Sequence, residues 1–327
     1  MENKIAGKVV VVTGASSGAG KTIALSLARR QANLVLASRN LTALEKAVSE
    51  CKALGADAIA IATDVTDLDA IAALVSSAIA WKGQVDVWVN NAGVLAAGAF
   101  DETPWEVQEQ VININLLGYM RCAYAILPHF KQRGTGILIN NISIGGFLPV
   151  PYGTAYSAAK FGLRGCFEAM KGELADFKKI HIVDLFPAFI DTPGILHAAN
   201  YTGKKLKPVP PVADPAIVAR AVVASIVHPK ATRYPGGISL LFKLAHALAP
   251  DLLVKLTGLI MRDYFKTAKA APRSSGNVVA TVDQQMGTHG NGKGRLDKTP
   301  QTITLAGAVA LATVLAMKLF SRNAKVR

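Results

Sequence analysis

Cysteine is scarce. Cys51, Cys122 and Cys166 are the three in 327 residues. They stand far apart, at no metal-ligating spacing, and an odd, sparse set fits a reducing compartment rather than a disulfide framework. Aromatic residues make up 6% of the chain, so a core has to be built from Ala, Val, Leu and Ile. Acids are outnumbered, 22 against 36 Lys and Arg, for a net charge of +14. Such an excess raises the question of a nucleic-acid surface. The distribution argues against one: no basic run exceeds two residues, and no aromatics interleave with them. Solvated faces and a basic tail near an anionic membrane account for the charge. The chain has no internal repeat. Its opening MENKIAGK has no apolar h-region, so no secretory signal is expected.

What is present is apolar material in quantity, 51% hydrophobic against 18% charged. Short β-branched runs at 8–13, 33–37, 57–62, 85–90, 136–142, 180–186 and about 231–234 alternate with helix-length segments. Most of these runs are continuously apolar, as strands buried on both faces are. The alternation predicts a Rossmann-like, doubly wound parallel sheet of about seven strands, in the α/β class, with a helical C-terminal extension. We divide the chain into a dinucleotide-binding catalytic domain over 1–235 and an amphipathic helical extension over 236–270. A polar, Gly-rich flexible linker is expected over 271–300, then an apolar tail helix with a basic end over 301–327.

The first strand runs into a loop of small residues, VVVVTGASSGAGKTIALSLARR, residues 9–30. Gly14, Gly18 and Gly20 would let the backbone come close to a phosphate. The stretch Ala15 to Thr22, ASSGAGKT, also fits a relaxed P-loop, with Lys21 and Thr22 placed for a triphosphate and Mg²⁺. The loop alone leaves both open.

Tyr156 and Lys160 in AYSAAKFGLRG share one helix face at i, i+4. A phenol near pKa 10 is a poor base at neutral pH, and a neighbouring ammonium would lower that value. Ser143 ends the strand in ILINNISIGG, VNNAG closes the preceding strand at Val89 to Gly93, and Asn115 stands in NINLLG, close to Asn113. With the glycine loop from Thr13 to Gly20, these elements resemble the short-chain dehydrogenase/reductase family over roughly residues 5–235. The P-loop reading would need a second strand-end aspartate and gains nothing from the Tyr/Lys pair.

The resemblance implies hydride transfer between a nicotinamide cofactor and a carbonyl/alcohol pair. It makes Tyr156 the general acid/base. Lys160 lowers its pKa and bonds the nicotinamide ribose, Ser143 orients and polarises the carbonyl, and Asn115 holds a water in a relay to Lys160. It implies cofactor contacts from Thr13, Gly14, Ser16, Ser17, Gly18 and Gly20 around the pyrophosphate. Asp64 and Val65 in ATDVTD would meet the adenine, and Asn91, Ala92 and Gly93 would form the supporting turn. Pro187, Ile190 and Thr192 would lie along the nicotinamide, and Lys21 would be a helix-surface residue. One departure is Pro187-Ala188, where the family usually has Pro-Gly; the added methyl restricts that loop.

The second strand ends LVLASRN, with Ser38 and Arg39 and no acid. An acid there reads a ribose 2′-OH and an Arg accommodates a 2′-phosphate, so NADP(H) is favoured over NAD(H). Apolar residues are expected to rim the site: Val94, Leu95, Phe147, Leu148, Pro149, Val150, Phe189, Ile190, Ile195 and Leu196. They favour an apolar carbonyl or alcohol as the small-molecule substrate. The alternative function is a cofactor-binding protein without turnover. No nucleic-acid partner and no metal are expected, and a homo-oligomer is. Thr302 to Met317 is uncharged and apolar, about 24 Å as a helix, short for a span. Lys318, Arg322, Lys325 and Arg327 behind it would break the positive-inside tendency if they crossed a membrane. We expect this tail to attach a cytoplasmic catalytic domain to a membrane, as a transmembrane or surface helix; the alternatives are a helix packed on a partner or folded against the domain.

Overall fold

The structure, a computed structural model, describes residues 4–208, 212–281 and 286–290. The chain lays down β1 (Val9–Thr13), α1 (Gly18–Ala28), β2 (Asn33–Ser38), α2 (Leu41–Ala53), β3 (Ala58–Ala62), α3 (Leu68–Lys82) and β4 (Val87–Asn90). A short β5 (Ala96–Ala97) follows, then α4 (Trp105–Ile112), α5 (Gly118–Arg133), β6 (Gly136–Asn141), α6 (Thr154–Glu173) and β7 (Ile180–Leu185). The C-terminal part holds β8 (Ala199–Asn200), α7 (Ala216–Val227), β9 (Thr232–Arg233), α8 (Ile238–Leu248), α9 (Pro250–Thr267) and a single turn, α10 (Gly276–Val279).

Seven strands form one parallel sheet in the order β3-β2-β1-β4-β6-β7-β9. The strands foreseen from apolar runs are these seven. Period-two alternation feeds both faces: Val9 and Val11 pack with α3, α5 and α6, whereas Val10 and Val12 pack with α1, α2 and α7. This is why β1 reads as an unbroken apolar run, with all five residues buried. After β3 the chain returns to the other side of β1 to start β4. The sheet order therefore reverses between β1 and β4, and a crevice opens beyond their carboxyl ends.

The central strands carry one polar ladder. Asn90, Asn140 and Asp184 are register partners on β4, β6 and β7. Trp88 Nε1 donates to Asn90 Oδ1 at 2.9 Å, Asn90 Nδ2 to Asn140 Oδ1 at 3.0 Å, and Asn140 Nδ2 to Asp184 Oδ1 at 2.9 Å. Lys171 closes the chain on the other carboxylate oxygen. Buried polar groups are tolerated because each meets a partner.

The extension foreseen as helical over 236–270 is two helices, bent by 120° where α8 meets α9. Ala249, at φ −147° and ψ 66°, precedes Pro250. A residue before proline is driven out of the helical region, and proline then suits the first position of the next helix. Among the described residues no single helix is long and apolar enough to cross a membrane. The tail expected over 301–327 lies outside the described residues.

Residues 271–281 and 286–290 do not behave as the flexible linker expected over 271–300. Ser274 and Asn200 exchange backbone hydrogen bonds of 2.9 and 2.8 Å, and Asn277 N–H donates to His197 O at 2.8 Å. Val278 is fully buried in the core beside α4. A polar composition hid this one apolar anchor.

Candidate active site

The crevice is held open by one set of hydrogen bonds. The Thr13 hydroxyl accepts the N–H groups of Asn91 (3.0 Å) and Ala92 (3.2 Å) and donates to Val89 O at 3.3 Å. The Asn91 amide donates to Thr13 O and Gly14 O at 3.0 and 3.2 Å, and Asn141 Nδ2 donates to Asn91 Oδ1 at 2.9 Å. Gly20 packs under this clamp: a Cβ there would lie 2.2 Å from Gly14 O and 2.5 Å from Asn91 Nδ2. Gly14 (φ +64°) and Gly18 (φ +54°) take conformations that side chains disfavour. Thr13 and Gly20 were expected among the cofactor contacts. They lie beneath the crevice instead and fix its shape.

Above the clamp runs one cavity of about 670 Å³. Gly14, Ser16, Ser17, Gly18, Arg39, Asp64 and Val65 line one end. Asn91, Ala92, Gly93, Asn115, Ser143, Tyr156, Lys160, Pro187, Ile190 and Thr192 line its middle. Asp64 Oδ1 accepts the N–H and hydroxyl of Thr66 at 2.9 and 2.8 Å, which fixes its carboxylate. Lys21 is not in the cavity; it pairs with Glu50 at 2.6 Å. The Thr22 hydroxyl donates to Gly18 O at 2.8 Å. The two side chains a P-loop would direct at a triphosphate and its metal are thus engaged elsewhere. Among the described residues no group of three or more His, Cys, Asp or Glu could hold a metal ion.

Tyr156 and Lys160 lie on α6, both against the cavity. Tyr156 hydrogen-bonds Ser143, which pulls its pKa down, but burial outweighs this and the phenol is pushed above its ordinary value. Lys160 is buried, with Nζ 5.0 Å from the Tyr119 ring centroid and 5.6 Å from that of Tyr156. Burial pushes its ammonium down to about 7. The expected fall of the Tyr156 pKa therefore does not occur in the free chain. Desolvation penalises the charged form of both partners.

Ser143 sits at φ 119°, strained for a side-chain-bearing residue. Its neighbours hold it there: Ile142 N–H donates to Leu185 O at 2.9 Å and Ile144 N–H to Pro187 O at 2.7 Å. The Ser143 hydroxyl also accepts Gly145 N–H at 3.1 Å.

Asn115 lies in a π-helical turn, Asn113–Leu117. Its Oδ1 accepts Val94 N–H and its Nδ2 donates to Val94 O, both at 2.8 Å. The amide is thereby committed to holding the segment after Asn91. A relay water would have to use its remaining lone pair, its second amide hydrogen or its main chain. Asn113, its neighbour in sequence, accepts a bond from Arg121 at 2.8 Å and is not a cavity residue.

Three groups of site residues escaped sequence reasoning. Tyr119, whose hydroxyl donates to Asn141 O at 3.0 Å, flanks Lys160, and only its place one turn beyond Asn115 hinted at it. Asn141 anchors Asn91, and its Oδ1 is buried without a partner. Asn277, Thr281 and Met286, from the supposed linker, also line the cavity. Of the expected rim, Phe147 is instead buried against Phe186, at 4.4 Å between centroids, and Leu196 is exposed outside the cavity. The apolar end is completed by residues of α9, among them Ile260, Met261, Tyr264 and Phe265.

The polar end fits a dinucleotide. Gly18 N–H, at the positive end of α1, donates to Gly287 O at 2.8 Å. The Arg39 guanidinium donates to Asn277 O at 2.6 Å. These carbonyl oxygens stand where phosphate oxygens would be met by a helix N-terminus and a cation. When bound, a nicotinamide dinucleotide would supply the hydride, held by the loop from Gly14 to Gly18, Arg39, Asp64 and the Asn91–Gly93 turn.

Residues 8–199 match the family model described as short chain dehydrogenase. A ketoacyl reductase, HetN, of Nostoc sp. is 35% identical over 68% of this chain and 76% of its own. Cyclohexanol dehydrogenase of Acinetobacter sp. is 34% identical over 68% of this chain and 88% of its own. The solved alcohol dehydrogenase of the archaeon Thermococcus sibiricus, complexed with 5-hydroxy-NADP, is 28% identical with a TM-score of 0.61, covering 69% of this chain and 95% of that one. With the Rossmann-like sheet and the switch-point crevice already in place, the chain belongs to the short-chain dehydrogenase/reductase family and is an NAD(P)-dependent oxidoreductase of carbonyl and alcohol groups.

Proposed function

We propose that the chain is an NADP(H)-preferring oxidoreductase acting on an apolar ketone, aldehyde or alcohol, with Tyr156 as its acid/base. The observation that carries this reading is the position of Tyr156 in the cavity. The same cavity is lined by Arg39 and Asp64 and by the apolar Leu148, Val150 and residues of α9. The names of the relatives above support small alcohols and ketones as substrates, and the alcohol dehydrogenase bound to 5-hydroxy-NADP supports the cofactor choice.

The residues divide the proton work. Tyr156, raised above the ordinary phenol value, carries its proton at neutral pH. In the reducing direction its hydroxyl donates to the substrate oxygen, and Ser143 donates a second hydrogen bond that orients that oxygen. Lys160, with a pKa of about 7, exists in both forms near neutrality and can return a proton toward Tyr156. In the oxidising direction the same groups run in reverse.

We extend the membrane attachment expected of the tail to a second place. Leu240, Leu244 and Leu248 form an exposed i, i+4 stripe on α8, and Leu256, Leu259 and Ile260 are exposed on α9. Ile260 also lines the cavity, so this apolar surface adjoins the substrate end. We read it as a membrane-surface contact that admits an apolar substrate. Self-association is supported by exposed Trp105, Met120 and Tyr124 on α4 and α5.

Four outcomes test the reading. Tyr156→Phe should lower kcat by about 10²- to 10⁴-fold, with cofactor affinity nearly unchanged; turnover near wild type would refute the acid/base role. Arg39→Ala should weaken NADPH binding by about 10- to 100-fold and NADH binding far less. Equal losses, or a wild-type preference for NADH, would refute the NADP(H) assignment.

Lys160 gives a pH test. Between about 7 and the ordinary 10.5, the unfolded chain holds this proton and the folded chain does not. Stability therefore rises with pH across that window. In urea unfolding, Lys160→Met should exceed the wild type most at the acid side of the window and lose the advantage toward its alkaline side. A gap independent of pH would show that Lys160 titrates normally. Finally, the full chain should co-sediment with anionic vesicles, and Leu244→Asp combined with Leu259→Asp should reduce the bound fraction, while light scattering without vesicles reads the oligomer. Vesicle binding unaffected by the pair would remove α8 and α9 from the contact.

A further inference from the structure

The segment that follows α9 has two parts with different holds on the molecule. The first is fixed. Ala271 N–H donates to Gly203 O at 3.0 Å, Ser274 pairs with Asn200, and Val278 is fully buried in the core. Gly276 is packed so closely that a Cβ would come within 2.3 Å of His197 O. The second part, residues 286–290, reaches across the crevice on few contacts. Gly287 O accepts the Gly18 N–H at 2.8 Å. Gly290 N–H donates to Asp191 Oδ1 at 3.2 Å, and His289 Nε2 meets Asp214 Oδ2 at 3.1 Å. Gly290 lies against Thr192, where a Cβ would stand 2.8 Å from Thr192 O.

We propose that residues 286–290 are an autoinhibitory arm: an intramolecular competitor, tethered to the Val278 anchor, that covers the phosphate-binding N-terminus of α1 and must lift for a dinucleotide to bind. The proposal rests on reading this crevice as the cofactor site. Gly18 has one N–H, and in the closed arrangement it serves the Gly287 carbonyl. A phosphate oxygen offers a charged acceptor for the same donor and makes the stronger bond. Arg39 is tied by the same segment to Asn277 O, from the anchored part. The guanidinium has five N–H donors, so Arg39 can keep that bond and still meet a phosphate. Competition is thus confined to the arm. Apparent cofactor affinity is reduced by the fraction of molecules whose arm is lifted, and weakening the arm raises it.

The arm can be weakened by substitutions on the arm itself. His289→Ala removes the contact to Asp214. Gly290→Val places a side chain where the backbone of Thr192 stands, so the arm has to move off. In the full chain carrying both substitutions, NADPH should bind at least about threefold more tightly than to the wild type. Hydrogen exchange gives a second measurement on the wild type. Added NADPH should speed exchange in a peptide spanning 286–290 while slowing it at Gly18. Equal NADPH affinity in the two chains would overturn the arm while leaving the cofactor site standing. So would slower exchange over 286–290 on adding NADPH, which would make the segment a lid that closes over the cofactor. Absence of NADP(H) and NAD(H) binding to both chains would overturn the cofactor reading and the arm with it.

Discussion

The bond between Thr13 and the Asn91–Ala92 turn is the constraint on which the rest of the site depends. A parallel sheet whose order reverses between β1 and β4 leaves two strand ends diverging, with main-chain groups that lack ladder partners. Thr13 and Asn91 supply those partners to each other's strand. Asn141, from β6, ties in the third strand end. The clamp works only if α1 can approach it, and Gly20 permits that approach because any Cβ would strike Gly14 O and the Asn91 amide. The glycine loop is therefore a packing requirement as well as a phosphate cradle. That double duty explains why its third glycine lies outside the cavity it shapes.

From that fixed rim the proton chemistry is set by burial. Lys160 is buried and Tyr156 half-buried, and burial moves their pKa values toward the neutral forms, the phenol up and the amine down to about 7. An ammonium beside a phenol would stabilise the phenolate only if it were itself stable there, and at this site its own desolvation is the larger effect. The free chain thus holds a protonated tyrosine ready to donate, backed by a lysine that exchanges its proton near neutrality. Ser143, held at a strained φ of 119° by hydrogen bonds on either side, brings its hydroxyl to Tyr156. The strain is carried by the strand ends of β6 and β7, which the ladder of Asn90, Asn140 and Asp184 braces from within.

The parts of this molecule that were legible in the sequence are those where local pattern and tertiary fate agree. The seven strands are continuous apolar runs because both faces of a parallel sheet are covered, and their order of appearance fixed the α/β class. Tyr156, Lys160 and Ser143 were legible from residue type and spacing, and they line one cavity. What was missed turned on long-range contacts. The bonds of the Asn115 amide to Val94, twenty-one residues away, gave no local signal. Tyr119 gave no periodic signal of its own. Phe147 was read as rim because it lies in an apolar loop, and nothing local said that Phe186 would cover it. The break at Ala249 was in principle readable from Pro250, but the continuous amphipathic pattern across it concealed the turn.

The most instructive misreading is the linker. A polar, Gly-rich stretch has little apolar surface to bury, and composition alone assigns it to solvent. The same composition suits a main chain that lies in a phosphate site. Such a chain has to present carbonyl oxygens to N–H groups and a guanidinium, and it has to approach a backbone closely. Gly287 does the first at Gly18, and Gly290 does the second at Thr192, where a side chain would not fit. One buried valine, Val278, is enough to bring the segment to that place, because it is reinforced by antiparallel pairing of Ser274 with Asn200. Once tethered, the arm acts at high effective concentration, so even a few hydrogen bonds suffice to populate the covered state. A weak, local, polar contact is also what a competitor must be if a charged ligand is to displace it. The features that made the segment look structureless are therefore the ones that fit it to stand in for a ligand's phosphates.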